Sequence, residues 1–81
     1  MKIAVEISMY PLSESFLEPI QGFIDALRAE ERLQVLTNTM STQVYGDYDV
    51  VFATLQKAMR ASLEHGPRAV FVTKFLGRPD E

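Results

Sequence analysis

Lys2-Ile-Ala-Val-Glu-Ile-Ser-Met-Tyr-Pro11 alternates without a break: Ile3, Val5, Ile7 and Met9 share one side, and Lys2, Ala4, Glu6, Ser8 and Tyr10 the other. A period of two with one apolar row is the signature of a β-strand that buries one face. Pro11 ends the strand at Tyr10, because proline brings no N–H to a ladder and restricts the residue before it. From Ser13 to Glu30 the period becomes helical, with Phe16, Ile20, Phe23, Ile24 and Leu27 making one stripe. Pro19 is tolerated only in a first turn, which places the regular helix from Leu17 or Glu18 with Ser15 or Ser13 as its expected cap.

The remainder repeats this grammar. Leu33–Thr39 and Ser41–Gly46 read as two β-branched strands joined by a turn near Asn38–Ser41. Asp47 is placed to cap a second helix, Tyr48–His65, whose stripe is Val51, Phe52, Leu55, Ala58, Met59 and Ser62 or Leu63. Gly66 and Pro67 stop it. Arg68–Leu76 is a fourth strand, followed by a polar tail from Gly77. The order β-α-β-β-α-β predicts an α+β ferredoxin-like sandwich over residues 1–81. It has a four-stranded antiparallel sheet in the order 4-1-3-2, with both helices on one face.

Composition narrows the function. The chain has 81 residues, 47% of them hydrophobic and 23% charged, which fits one globular domain with a thin core. Without cysteine it has neither a disulfide framework nor a thiolate site. The net charge of −3 and scattered basic residues lack the positive footprint of a nucleic-acid binder. No apolar run reaches the roughly 18 residues of a membrane span, and Glu6 interrupts any leader-like stretch. The expectation is a soluble, cytoplasmic domain. With one histidine, no metal-binding spacing and no glycine-rich phosphate loop, the sequence favours binding over catalysis.

Two helices cover one sheet face, so the other must meet solvent, a ligand or a second subunit. Its predicted residues are Lys2, Ala4, Glu6, Ser8 and Tyr10, with Ser41, Gln43 and Tyr45 if Val44 faces the helices. Strand four is apolar on both faces (Val70, Phe71, Val72, Phe75), which points to burial by self-association. Each candidate has a structural alternative. Glu6 can simply pair with Lys74, the tyrosines can fill an interface, Ser41 and Thr42 can be turn residues, and His65 and Asp47/Asp49 can serve helix ends.

Two blocks carry a family resemblance. Ala4-Val-Glu-Ile-Ser-Met-Tyr-Pro-Leu12 leads to Phe23-Ile-Asp-Ala-Leu27, and Met40-Ser-Thr-Gln-Val-Tyr-Gly-Asp47 leads to Val51-Phe52. Together they resemble the thiamine-binding proteins of the YkoF-like superfamily across nearly the whole chain. The resemblance implies the same fold, sheet-joining homodimers that often pair into tetramers, and thiamine or its hydroxymethylpyrimidine part as ligand rather than a cofactor. Carried over by position, the implied ligand-binding residues are Glu6, Ser8, Tyr10, Met40, Ser41 and Thr42. A carboxylate suits the cationic thiazolium or the exocyclic amine, tyrosine the ring faces, and short hydroxyls the pyrimidine nitrogens. The expected function is a non-enzymatic thiamine binder with its site at or near an oligomer interface on the open face. The alternatives are a structural or regulatory oligomeric module without a ligand, and a small barrel-like enzyme with an ionisable group in a deep pocket.

Overall fold

The first strand, β1 (Lys2–Pro11), runs through the middle of a four-stranded sheet in the computed structural model, which describes residues 1–81. It pairs antiparallel with β3 (Thr42–Asp47) on one side and β4 (Ala69–Gly77) on the other, and β2 (Gln34–Thr37) pairs with β3. The order β2-β3-β1-β4 is the expected 4-1-3-2 read backwards. The helices α1 (Leu17–Arg28) and α2 (Tyr48–His65) complete the ferredoxin-like β-α-β-β-α-β arrangement.

The alternation in β1 does what it predicts. Ile3, Val5 and Ile7 are buried beneath the helices while Lys2 to Tyr10 on the other row are half-buried or exposed. Val44 of β3 also turns inward, beside Phe23 and Leu27 of α1 and Val51, Leu55 and Ala58 of α2. Leu33, expected in the second strand, precedes it and fills the core at the hairpin's base. Gly46 lets this happen, because a Cβ there would overlap a Leu33 methyl group.

Several local expectations are corrected. Neither Ser13 nor Ser15 caps α1. Phe16 occupies the N-cap, and the Ser13 hydroxyl instead accepts the Ser15 N–H at 3.2 Å, one step upstream of the helix. Asp47 does stand at the N-cap of α2, but its carboxylate makes no cap bond and lies 3.6 Å from the Met1 nitrogen. The Tyr48 N–H is satisfied by the Met1 carbonyl at 2.8 Å. Strand two is shorter than its β-branched run, and strand three starts and ends one residue later than expected, because Asn38 ends the pairing. Its side-chain oxygen accepts from both the Met40 and Ser41 N–H groups, at 2.8 and 2.9 Å. Phe52 and Leu63, assigned to the buried stripe, are exposed. Phe52 stacks between Tyr48 and Phe75 on the surface, 5.2 Å from the latter ring and nearly parallel to it.

Candidate ligand-binding site

The open face is built by register. Opposite the helices stand Ala4, Glu6, Ser8 and Tyr10 of β1, with Tyr45 and Gln43 of β3 and Leu76, Lys74, Val72 and Val70 of β4 as their cross-strand neighbours. Glu6 lies at the centre. Its carboxylate accepts from the Ser41 hydroxyl at 3.2 Å and stands 3.6 Å from the Lys74 ammonium. Both readings of Glu6 therefore meet at one group, which pairs across the sheet and remains open to solvent.

Strand lengths create the main concavity. Pairing of β1 with β3 stops at Ile7↔Thr42, whereas β1 continues to Pro11 alongside β4 alone. Beyond Ile7 the β3 side of β1 has no strand partner, so the sheet carries a notch. The hairpin turn after β2 walls it on one side and the start of α1 closes its base. The resulting cavity of about 430 Å³ has a floor that includes Phe16, Ile20 and Phe23 and polar walls from Ser8, Asn38, Ser41 and Thr42. Its volume falls in the range of small-molecule pockets, roughly 300–1,000 Å³. No lysine, arginine, aspartate or glutamate lines it.

Five of the six sequence candidates, Ser8, Tyr10, Met40, Ser41 and Thr42, line this notch. Ser8 ties it together, its hydroxyl donating to the Met40 carbonyl at 3.3 Å, and Tyr10 stands exposed at the rim. Thr42 enters from the other side: it is buried on the helix-facing row and shares a 3.2 Å bond with the Thr37 hydroxyl. Glu6 is the member left outside. It lines a separate cavity of about 390 Å³ on the open face with Ala4, Gln43, Tyr45, Lys74 and Leu76. The Ser41–Glu6 hydrogen bond is the partition between the two spaces. Sequence reasoning missed Asn38 and Phe16. Asn38 carried the signal of a turn-forming amide, but Phe16 read as a helix-stripe residue and nothing marked it as a pocket wall.

With this geometry in hand, the relatives can be placed. A family model described as thiamine-binding protein matches residues 5–81. The chain belongs to that family. A hypothetical protein of Methanocaldococcus jannascii has the same fold, with a TM-score of 0.83 and 28% identity over 99% of this chain and 84% of that one. A putative thiamine biosynthesis/salvage protein of Thermotoga maritima gives 0.82 at 18% identity, over 93% and 82%. A Streptococcus pneumoniae protein gives 0.87, also at 18%, over 100% and 92%. At 18% identity the last two likenesses speak for the fold alone. The comparison with curated proteins returned no match.

Other features of the molecule bear on the chemistry. A further groove, about 520 Å³, lies between α1 and α2 and holds Glu18, Ser62 and His65 but none of the six candidates. The notch is the candidate site, because hydroxyl and amide groups converge there over an apolar floor. No trio of histidine, aspartate or glutamate is arranged to hold a metal ion. No helix is long and apolar enough to cross a membrane. Tyr45 titrates above the ordinary phenol value, mainly because its hydroxyl donates to Asp80 and secondarily through burial.

Proposed function

We propose that the protein binds thiamine, or its hydroxymethylpyrimidine half, without transforming it, and acts as a cytoplasmic carrier or buffer. Family membership supplies the ligand class, and the observation that carries the assignment to residues is the Ser41–Glu6 bond joining the notch to the open face. A neutral cavity with hydroxyl and amide walls suits the flat aminopyrimidine. The carboxylate across the partition suits the permanently cationic thiazolium. Ser8, Ser41 and Thr42 would hydrogen-bond the heterocycle, Tyr10 and Met40 would close over it, and Glu6 would balance the charge. No histidine lines the notch, and the Ser41 hydroxyl in it donates to a carboxylate, Glu6, rather than to an imidazole.

The same reading includes self-association. β4 is a nine-residue edge strand that exposes Val70, Val72, Phe75 and Leu76 and carries a single charge, Lys74. Unprotected edges of this kind are templates for pairing with another chain. A homodimer or homotetramer would cover them and bring the open face close to a subunit boundary. A purely structural module draws on this same observation but leaves the polar notch without a purpose.

Titration calorimetry with thiamine and with hydroxymethylpyrimidine is the direct test, run beside thermal melting. Saturable heat and a raised melting temperature are expected with thiamine. Absence of both at millimolar ligand sinks the binding reading and leaves the structural module.

A further inference from the structure

The tail after β4 does not run off into solvent. Arg78 continues the ladder by donating its N–H to the Lys2 carbonyl at 3.2 Å. The backbone then reverses. Arg78 has φ 54°, the only positive value at a non-glycine residue in the chain. Such a conformation is disfavoured for a side chain with a Cβ and persists where surrounding contacts impose it. The contacts are present. The Glu81 N–H donates to the Arg78 carbonyl at 3.2 Å, and the Glu81 carboxylate pairs with the Arg78 guanidinium at 2.5 Å. Pro79 is half-buried.

The reversal delivers Asp80 to a specific place. Its two carboxylate oxygens accept from the Tyr45 hydroxyl at 2.7 and 2.9 Å. Tyr45 stands on β3, directly across from Ala4 of β1, and β1 separates β3 from β4. The tail therefore leaves one edge strand, passes over the central strand and fastens on the next strand but one. It does so at the Lys2 end of the open face, the end away from the notch. The raised titration of Tyr45 agrees with a charge-assisted bond that holds the phenol neutral.

We propose that Pro79–Glu81 is a strap, latched by Tyr45, that covers the Lys2–Ala4 end of the open face and must release before a second copy of this chain can pack flat there. The occupant is a second copy because the open-face cavity that Tyr45 lines also presents Leu76 and Leu36, both large, apolar and exposed, and the flanking edge is unprotected. The inference rests on the self-association in the reading above and is independent of thiamine.

The experiment is sedimentation over a concentration series for the intact protein, Tyr45→Phe and Asp80→Ala. Tyr45→Phe keeps the ring and removes only the donor. A single charge-assisted bond at a solvent-facing site sets the scale, so self-association should strengthen by about three- to tenfold in either variant. Nitration with tetranitromethane shows whether the latch exists in solution: Tyr45 should react more slowly than Tyr10 in the intact protein and catch up in Asp80→Ala. Equal reactivity in the intact protein overturns the proposal. So does association that is unchanged or weakened in both variants, including a chain that stays monomeric throughout. Thiamine calorimetry on the same samples separates the two readings. Loss of heat everywhere, with association still strengthened, removes the ligand and keeps the strap.

Discussion

Replacing Glu6 by Gln asks whether the central carboxylate serves the sheet or the ligand. The two side chains have nearly the same shape, and the amide oxygen can still accept from Ser41, now 3.2 Å from the carboxylate. What disappears is charge. The pair with Lys74 spans 3.6 Å, with side chains 42% and 80% exposed. Pairs this exposed contribute about 0–1 kcal/mol, so the melting temperature should fall by no more than about 4–8 °C. The ligand side is larger. Two unit charges about 4 Å apart attract by roughly 1 kcal/mol in water and about 4 kcal/mol at a surface site with a lower effective dielectric. Glu6 is partly shielded, which places the loss near 1–3 kcal/mol, or about five- to 150-fold in Kd for thiamine. Calorimetry at two salt concentrations reads it out, and the gap between wild type and variant should narrow as salt rises. Hydroxymethylpyrimidine, which lacks the thiazolium, should lose less. Lys74→Met sharpens the comparison, since it removes the cation that competes for Glu6 and should tighten thiamine. A folded Glu6→Gln protein with unchanged thiamine affinity would refute the reasoning and leave Glu6 as a cross-strand partner of Lys74.

Two further expectations concern the scaffold. Gly46→Ala should destabilise by about 1–3 kcal/mol, because the new methyl meets the Leu33 side chain in a filled core. Leu33→Ala in the same chain should show strong non-additivity in urea unfolding, and simple addition of the two effects would contradict the overlap. The acid limb depends on Glu30, which the Arg32 side-chain hydrogen bond and then the Arg32 backbone N–H hold down to about 2. A depressed folded value stabilises above the unfolded value of 4.5 and is lost as pH falls through about 2. Arg32→Ala retains only the backbone donor, so its melting temperature should fall less steeply than wild type over that window. Parallel acid limbs would show that the pair contributes nothing.

Much of this architecture was legible because period is a direct readout of burial. The row Ile3, Val5, Ile7 announced both the strand and its covered face, and from that face the open row followed without any structure. The Glu6–Lys74 partnership was legible for the same reason, since both had to lie on the uncovered side. Caps were less legible. Ser13 and Ser15 have the right chemistry for a helix start, but a hydroxyl can serve only one local turn at a time, and Ser13 serves the one before the helix. The notch was half visible. An alternating run of nine residues opposite one of six implies an unpaired end, yet which end stays unpaired depends on register, and register depends on where Asn38 turns the chain. Thr42 shows the cost of carrying residues over by position. It belongs to the same block as Ser41, but alternation sends its side chain to the opposite face, and it reaches the cavity only because the notch opens through the sheet.

That opening lets so small a protein carry the proposed ligand site beside the proposed assembly surface. Thirteen of 81 residues are buried, and a pocket hollowed from such a core would cost large-to-small losses of about 2–5 kcal/mol per side chain, comparable to the whole stability of a domain this size. Letting β1 outrun β3 produces a cavity without removing core side chains, since Ile7 and Phe23 stay packed while their outer surfaces line the notch. The strap acts at the other end of the same strand. Glu6 lies between them on β1, separated from the notch by one hydrogen bond and sharing the open-face cavity with the strap's latch residue, Tyr45. Glu6 is thus the link on β1 through which a change at the Lys2 end would reach the proposed ligand site. Freeing the strap should shift assembly more than thiamine affinity, and whatever change in affinity it causes should vanish in a Glu6→Gln background.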